Sequence, residues 1–311
     1  MKRVLFLTLT LLAVLNAGQL TFGEGFPGAG SVRKVQEGFQ FTEGPAYDGR
    51  EFLYFTDIPN NRIMRTDLKG GLEIFIEPSG RCNGLMIDGE GKLIACRMDG
   101  ELISINTASK EVTVLASKFN DASFNACNDL VIDSQGGIYF TDPRYGSAEP
   151  WPQGKEAFYY RAPSGEVSRL GDDIIAPNGI ILSVDEKTLY LLPSMQKHVM
   201  AYDITSPGVI GPGRVLYEIQ QPQGKESSGG DGLAIDVKGN LYLTTDLGIQ
   251  VISSKGKLLG IIEFPEIPAN CKFGGPENKT LYATCRTGLY AVAMPTAGHQ
   301  FSGIVPLPTS K

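Results

Sequence analysis

The chain has 311 residues, with 28 lysines and arginines against 34 aspartates and glutamates and a formal net charge of −6. That acidic balance, without a run of basic residues, argues against nucleic acid and anionic lipid as partners. With 38 glycines and 19 prolines, the composition favours short strands and tight turns, in one large β domain or two ordinary ones.

The first residues read as an export signal. Lys2 and Arg3 precede an apolar or Thr-containing run from Val4 to Leu15, and Asn16-Ala17-Gly18 offers small residues for cleavage. The run falls short of the roughly 20 residues of a spanning helix. The expectation is a signal over residues 1–17, whose loss takes the charge from −6 to −8. The mature protein is then exported, periplasmic or secreted, with no membrane contact, as a monomer or weak dimer. Five cysteines remain: Cys82, Cys96, Cys127, Cys271 and Cys285. An odd number leaves at least one thiol free. Cys82/Cys96 and Cys271/Cys285 are each 14 residues apart, but cross-strand bridges at such places are strained, so buried free thiols are the expected state. No CxxC spacing suggests zinc.

Beyond this leader one pattern recurs six times: a polar residue, a small step, an apolar strand, a turn, and a second apolar strand. The copies are EGPAYDGREFLYFTD from Glu43, NGLMIDGEGKLIACR from Asn83, NDLVIDSQGGIYFTD from Asn128, NGIILSVDEKTLYLL from Asn178, DGLAIDVKGNLYLTTD from Asp231 and NCKFGGPENKTLYAT from Asn270. Successive starts lie 40, 45, 50, 53 and 39 residues apart, a spacing that suits four-stranded propeller blades. Third strands are predicted at Arg62–Thr66, Glu101–Ile105, Phe158–Arg161, His198–Tyr202, Ile249–Ile252 and Leu289–Val292. Outer strands follow, as at Gly71–Ile76, Glu111–Ala116 and Lys257–Phe264. The last repeat can borrow its outer strand from Val32–Phe39 or from Phe301–Leu307, closing the ring and removing free edges. The fold class is all-β, a six-bladed β-propeller forming one domain over residues 30–308. A pair of β-sandwiches with similar hairpins would not place a polar residue at the head of every first strand.

In a propeller the first strand of each blade lies innermost, so matching positions form a ring around the channel. That ring reads Glu43, Asn83, Asn128, Asn178, Asp231 and Asn270. Asn-Gly and Asp-Gly are also ordinary turn signals, but six oxygen donors in register, with Glu at one place, point to a hard divalent cation. Ca²⁺ fits best, with Mg²⁺, Mn²⁺ or Zn²⁺ as alternatives. The end of each second strand returns to the same face, so Asp57, Arg97, Asp142, Arg144, Tyr145, Ser194, Asp246 and Arg286 are expected to rim the mouth. Arginines and hydroxyls there suit a small polyoxygenated substrate.

FTEGPAYD, FNACNDLVIDSQGGIYFTDPRYG, APNGIILSVDEKTLYL, LAIDVKGNLYLTTDLGIQVIS and NCKFGGPENKTLYATCRTGLY make the chain resemble the regucalcin / gluconolactonase propellers, in their bacterial gluconolactonase branch, over nearly all of the mature sequence. The resemblance implies Glu43, Asn128 (directly, or through substrate or water), Asn178 and Asp231 as metal ligands. Asn83 and Asn270 then face substrate with Arg97, Arg144, Tyr145 and Arg286. Where the regucalcin branch has a sugar-contacting arginine two residues before the Asn-Asp motif, this chain has Ala126. His198 and His299 are the only histidines, and neither falls where the related phosphotriesterases and paraoxonases use one. The implied reaction is hydrolysis of a small sugar lactone such as gluconolactone, with the cation polarising the carbonyl and Asp231 as general base for water. The alternatives are a non-catalytic calcium- or ligand-binding propeller, or a phosphotriesterase using the same site with Asp231 as nucleophile. G-x-S-x-G and H-E-x-x-H are absent, which leaves metal-activated water as the nucleophile.

Overall fold

A computed structural model describes residues 25–145, 149–225 and 228–301; the expected export signal lies outside them. The chain forms six antiparallel sheets in a ring, a six-bladed propeller. The six innermost strands are Thr42–Tyr47, Cys82–Ile87, Leu130–Ile132, Pro177–Leu182, Gly230–Ile235 and Pro268–Gly274. Each contacts the innermost strand of the next blade around the whole circle. Among the described residues the one helical element is a 3₁₀ turn at Pro276–Asn278.

The turn between first and second strands has a repeated cause. Asp48, Asp88, Asp133 and Asp236 each accept main-chain N–H bonds of 2.8–3.0 Å from the residues two and four positions on. A side-chain oxygen thus closes the turn locally, and Ser183 does the same for Lys187 in blade 4. The second strands that follow, Leu53–Asp57, Ile138–Asp142 and Leu241–Thr245, are buried at every position. Both faces of a blade pack on neighbours, so these strands read as continuous apolar runs rather than alternating ones. Tyr54, Phe140, Tyr159 and Tyr242 fill the gaps between blades, and Phe140 meets Phe124 edge-on at 5.1 Å. Outer strands such as Leu72–Ile76 and Val112–Ala116 are largely exposed.

The ring closes with the earlier of the two candidate segments. Arg33–Glu37 pairs with Gly288–Ala293 and becomes the outer strand of blade 6. The later candidate lies almost wholly outside the described residues. Its first residue, Phe301, is buried beneath the channel. All five cysteines are buried free thiols.

Candidate functional site

Five of the six innermost strands carry a β-bulge at the head, between Glu43 and Ala46, Cys82 and Leu85, Pro177 and Gly179, Gly230 and Leu233, and Pro268 and Asn270. Bulges re-aim side chains, and here they turn the heads into the channel. Close approach between blades explains the residue that follows. A Cβ on Gly44 would lie 2.1 Å from the Asn83 carbonyl oxygen, and one on Gly179 would lie 2.5 Å from that of Asp231. Gly44 also has φ +49°, a left-handed conformation that glycine adopts without penalty.

Threonine clips reveal the true register. Thr56 Oγ1 donates to the Asn83 carbonyl at 3.2 Å, Thr141 to that of Asn178 at 2.8 Å, and Thr244 to that of Ala269 at 2.8 Å. The head of blade 6 is therefore Ala269. Asn270, which the sequence pattern puts at the head, lies one step further on, where most blades carry glycine. Blade 3 also departs at that step, with Asp129 after its head residue Asn128. Blades 3 and 6 face each other across the ring, and Asn270 Nδ2 reaches to 3.4 Å from Asp129 Oδ2 and 3.0 Å from Glu43 Oε2. Asp129 is the channel residue that sequence reasoning missed. Its signal was an acid standing where four other blades have glycine.

Asn178 Nδ2 donates to Asp231 Oδ1 at 2.7 Å and to Ser194 Oγ at 2.9 Å. Its Oδ1, like that of Asn83 and the hydroxyl of Tyr145, is buried without a partner among the described residues. Asn128 is buried at the head of blade 3, with its main chain tied to Thr141 and Gly84. Burial above all, then the charges of Asp231 and Asp129, push the Glu43 carboxyl far up. Burial also pushes Asp231 up to about 7, although Arg286 opposes it, and pushes Asp129 up to about 6. Buried carboxylates crowded in this way need a proton or a cation between them. Among the described residues no three His, Cys, Asp or Glu side chains form a metal cluster. The donors instead mix carboxylates with carboxamide oxygens. A bare Asn178 oxygen beside Asp231, whose own nitrogen is already engaged, fits a hard cation.

The rim is less open than the sequence suggests. Asp57 and Asp142 are fully buried, and both hold the strand that enters their blade. Asp57 Oδ1 accepts from the N–H groups of Gln40 and Phe41, while Asp142 accepts from Asn125 and Ala126. Arg97 is tied to Glu101 at 2.9 Å and to the Ser79 carbonyl at 3.0 Å. Arg144 pairs with Glu156 at 3.3 Å and lies 5.1 Å over Trp151. Asp246 accepts from Ser228 and Lys225. Arg286 lies 4.9 Å over the Phe41 ring. With Ser194, Asp231, Thr245 and Asp246 it lines a cavity of about 140 Å³ beside the ring. The structure thus gathers Glu43, Asn178, Asp231 and Asn270 at the channel, with Tyr145 and Arg286 beside it. It holds Arg97 and Arg144 in ion pairs.

Residues 41–287 match the family described as the SMP-30/Gluconolactonase/LRE-like region. The chain is 26% identical to a gluconolactonase of Zymomonas mobilis over 293 residues, covering 86% of this chain and 82% of the relative. Its structure is similar to that of a gluconolactonase of Xanthomonas campestris, with a TM-score of 0.77 and 25% identity over 85% of this chain and 89% of that one. It shares its fold with a calcium-binding protein, regucalcin, of Agrobacterium tumefaciens, at TM-score 0.75 and 20% identity over 88% and 97% of the two chains.

Proposed function

Because the chain belongs to the SMP-30/gluconolactonase/LRE-like family, we propose that it hydrolyses small sugar lactones at a divalent cation, Ca²⁺ by preference, held at the mouth of its channel. The observation that carries this reading is the buried, unpartnered Oδ1 of Asn178 beside the carboxylates of Asp231 and Glu43. Glu43, Asn178 and Asp231 would hold the ion, with Asn128 directly or through water. When bound, the ion supplies polarisation of the lactone carbonyl and acidifies water.

The chain's own groups do the rest. Asn178 Nδ2 fixes Asp231 through Oδ1, and this carboxylate, hydrogen-bonded also with Glu43, would take a proton from water. Arg286, at the wall of the 140 Å³ cavity, offers its fork to substrate oxygens and to the carboxylate product. The Tyr145 hydroxyl is raised to about 12 by burial, so it stays protonated and donates a hydrogen bond to a sugar oxygen. Residues 1–17 favour export of this enzyme to the periplasm or medium.

The test is a panel of sugar lactones and phosphotriesters assayed with and without a chelator. Lactone turnover that is lost on chelation and restored by Ca²⁺ is the expected result. Turnover that survives exhaustive chelation overturns the metal-dependent mechanism. Calcium binding without turnover makes the chain a binding propeller, and preference for phosphotriesters makes it a phosphotriesterase.

A further inference from the structure

Ser194 stands one residue beyond the second strand of blade 4, Thr188–Pro193, as Asp246 and Arg286 stand beyond Leu241–Thr245 and Thr280–Cys285. The same place in blades 1 to 3 holds Ile58, Met98 and Pro143. At this position the mouth is therefore polar over blades 4 to 6, and those three polar residues share the wall of the 140 Å³ cavity. The Ser194 main chain also joins the two strands that carry Asn178 and Asp231. Its N–H donates to the Ala176 carbonyl at 2.9 Å, two residues before Asn178, and its carbonyl accepts from the Gly229 N–H at 2.9 Å, two residues before Asp231. A Cβ on Gly229 would lie 2.6 Å from the Ser194 carbonyl carbon, so the joint is tight.

A carboxamide has one oxygen and two N–H groups at ends of similar size, so its neighbours decide which way it faces. Asn178 Nδ2 donates twice, to Asp231 Oδ1 at 2.7 Å and to Ser194 Oγ at 2.9 Å. Oδ1 is left as the buried atom without a partner among the described residues. Turned about, the amide would set its oxygen 2.7 Å from a carboxylate oxygen and point N–H groups where Oδ1 now stands, a place no cation could then share. Of the two acceptors that hold the nitrogen, Ser194 is the one outside the proposed ligand set.

We propose that Ser194 is a positioning residue, whose hydroxyl oxygen holds the Asn178 carboxamide with its nitrogen toward Asp231 and its oxygen toward the cation. That the oxygen meets a cation rests on the function proposed above; the hold of Ser194 on Asn178 does not.

The experiment compares the wild type with Ser194→Ala and with Ser194→Cys, which keeps the volume but replaces the oxygen by a weak sulfur acceptor. Hydrogen exchange of the Asn178 side-chain N–H pair is followed by NMR in chelator, on protein labelled with ¹⁵N at asparagine, the pair being identified by its loss in Asn178→Ala. Calcium affinity is read by titration calorimetry. Both N–H protons should exchange slowly in the wild type. In Ser194→Ala and Ser194→Cys one of them should exchange about fivefold faster, and Ca²⁺ should bind about two- to tenfold more weakly, the factors that one hydrogen bond supplies. A freely exchanging N–H in the wild type, or wild-type exchange in both variants, overturns the proposal. An effect in Ser194→Ala that is absent from Ser194→Cys also overturns it, since filled space and not the oxygen would then matter. Faster exchange with unchanged Ca²⁺ affinity overturns the link to the cation. If the wild type binds no Ca²⁺, the metal reading falls, while exchange in chelator still decides the hold of Ser194 on Asn178.

Discussion

Asp231 and Glu43 occupy matching places in their blades, yet their neighbours give them different tasks. Asp231 is positioned by the Asn178 amide and lies beside the Arg286 cavity, whereas Glu43 accepts from Asn270 and from the Gly44 N–H. Asp231→Asn keeps the shape and one oxygen but loses the base. In that variant kcat for lactone should fall by about 10²–10⁴-fold, with calorimetry still showing bound Ca²⁺. Wild-type turnover in metal-loaded Asp231→Asn would remove Asp231 as the base. Glu43→Gln should instead weaken Ca²⁺ binding, so that excess Ca²⁺ restores part of the rate. Both residues were legible from the strand-head pattern. Asp129 was not, although an acid stands there where four other blades have glycine, because no local feature says that the step after the head also faces the channel.

At the scale of the element, the strand-end aspartates show how one structural device acquires two pH responses. Asp57 and Asp142 both hold incoming backbone, but Asp57 also bonds Asn60 and Arg62 and its carboxyl is held below the usual range despite burial. At Asp142 burial outweighs the backbone bonds from Asn125 and Ala126 and the charge of Arg169, and pushes the carboxyl up to about 7. For Asp142 the folded value lies above the unfolded one, so the folded state keeps a proton that the unfolded state has lost. Its contribution to stability therefore falls as pH rises from about 4 to about 7. For Asp57 the sign reverses: its contribution is present above the unfolded value and fades as pH falls through the folded one. Urea midpoints should show wild type losing ground to Asp142→Asn between about pH 4 and 7, and a constant gap would refute this. The bulged strands carry a second prediction. A Cβ on Gly232 would sit 2.0 Å from Asn270 Cγ. Gly232→Ala should therefore cost about 1–3 kcal/mol of stability and displace Asn270 from Glu43. An unchanged melting temperature and Ca²⁺ affinity would show that the neighbouring strand yields freely.

For the whole molecule, closure depends on Arg33–Glu37, which covers the edge of Gly288–Ala293. Removing residues up to Glu37 exposes that edge and should lower the melting temperature by about 10 °C. Melting as wild type would mean that another segment takes its place. The sequence by itself determined the number of blades, the turns and most third strands, because each hairpin is built from local signals: a turn aspartate, a glycine and continuous apolar strands. It also determined the oxygen-rich character of the ring, since equivalent places of a repeat must face one axis. Only the tertiary structure decided which polar groups remain available there. The one-residue step that puts Ala269 at the head of blade 6 comes from a bulge and a clip from Thr244 on the neighbouring blade. Arg97 and Asp142 were withdrawn from the mouth by bonds to Glu101 and to the Asn125–Ala126 backbone. Asp129 and Asn270 came together from blades on opposite sides of the ring. These outcomes depend on contacts between segments far apart in the chain, and a periodic pattern holds no record of them.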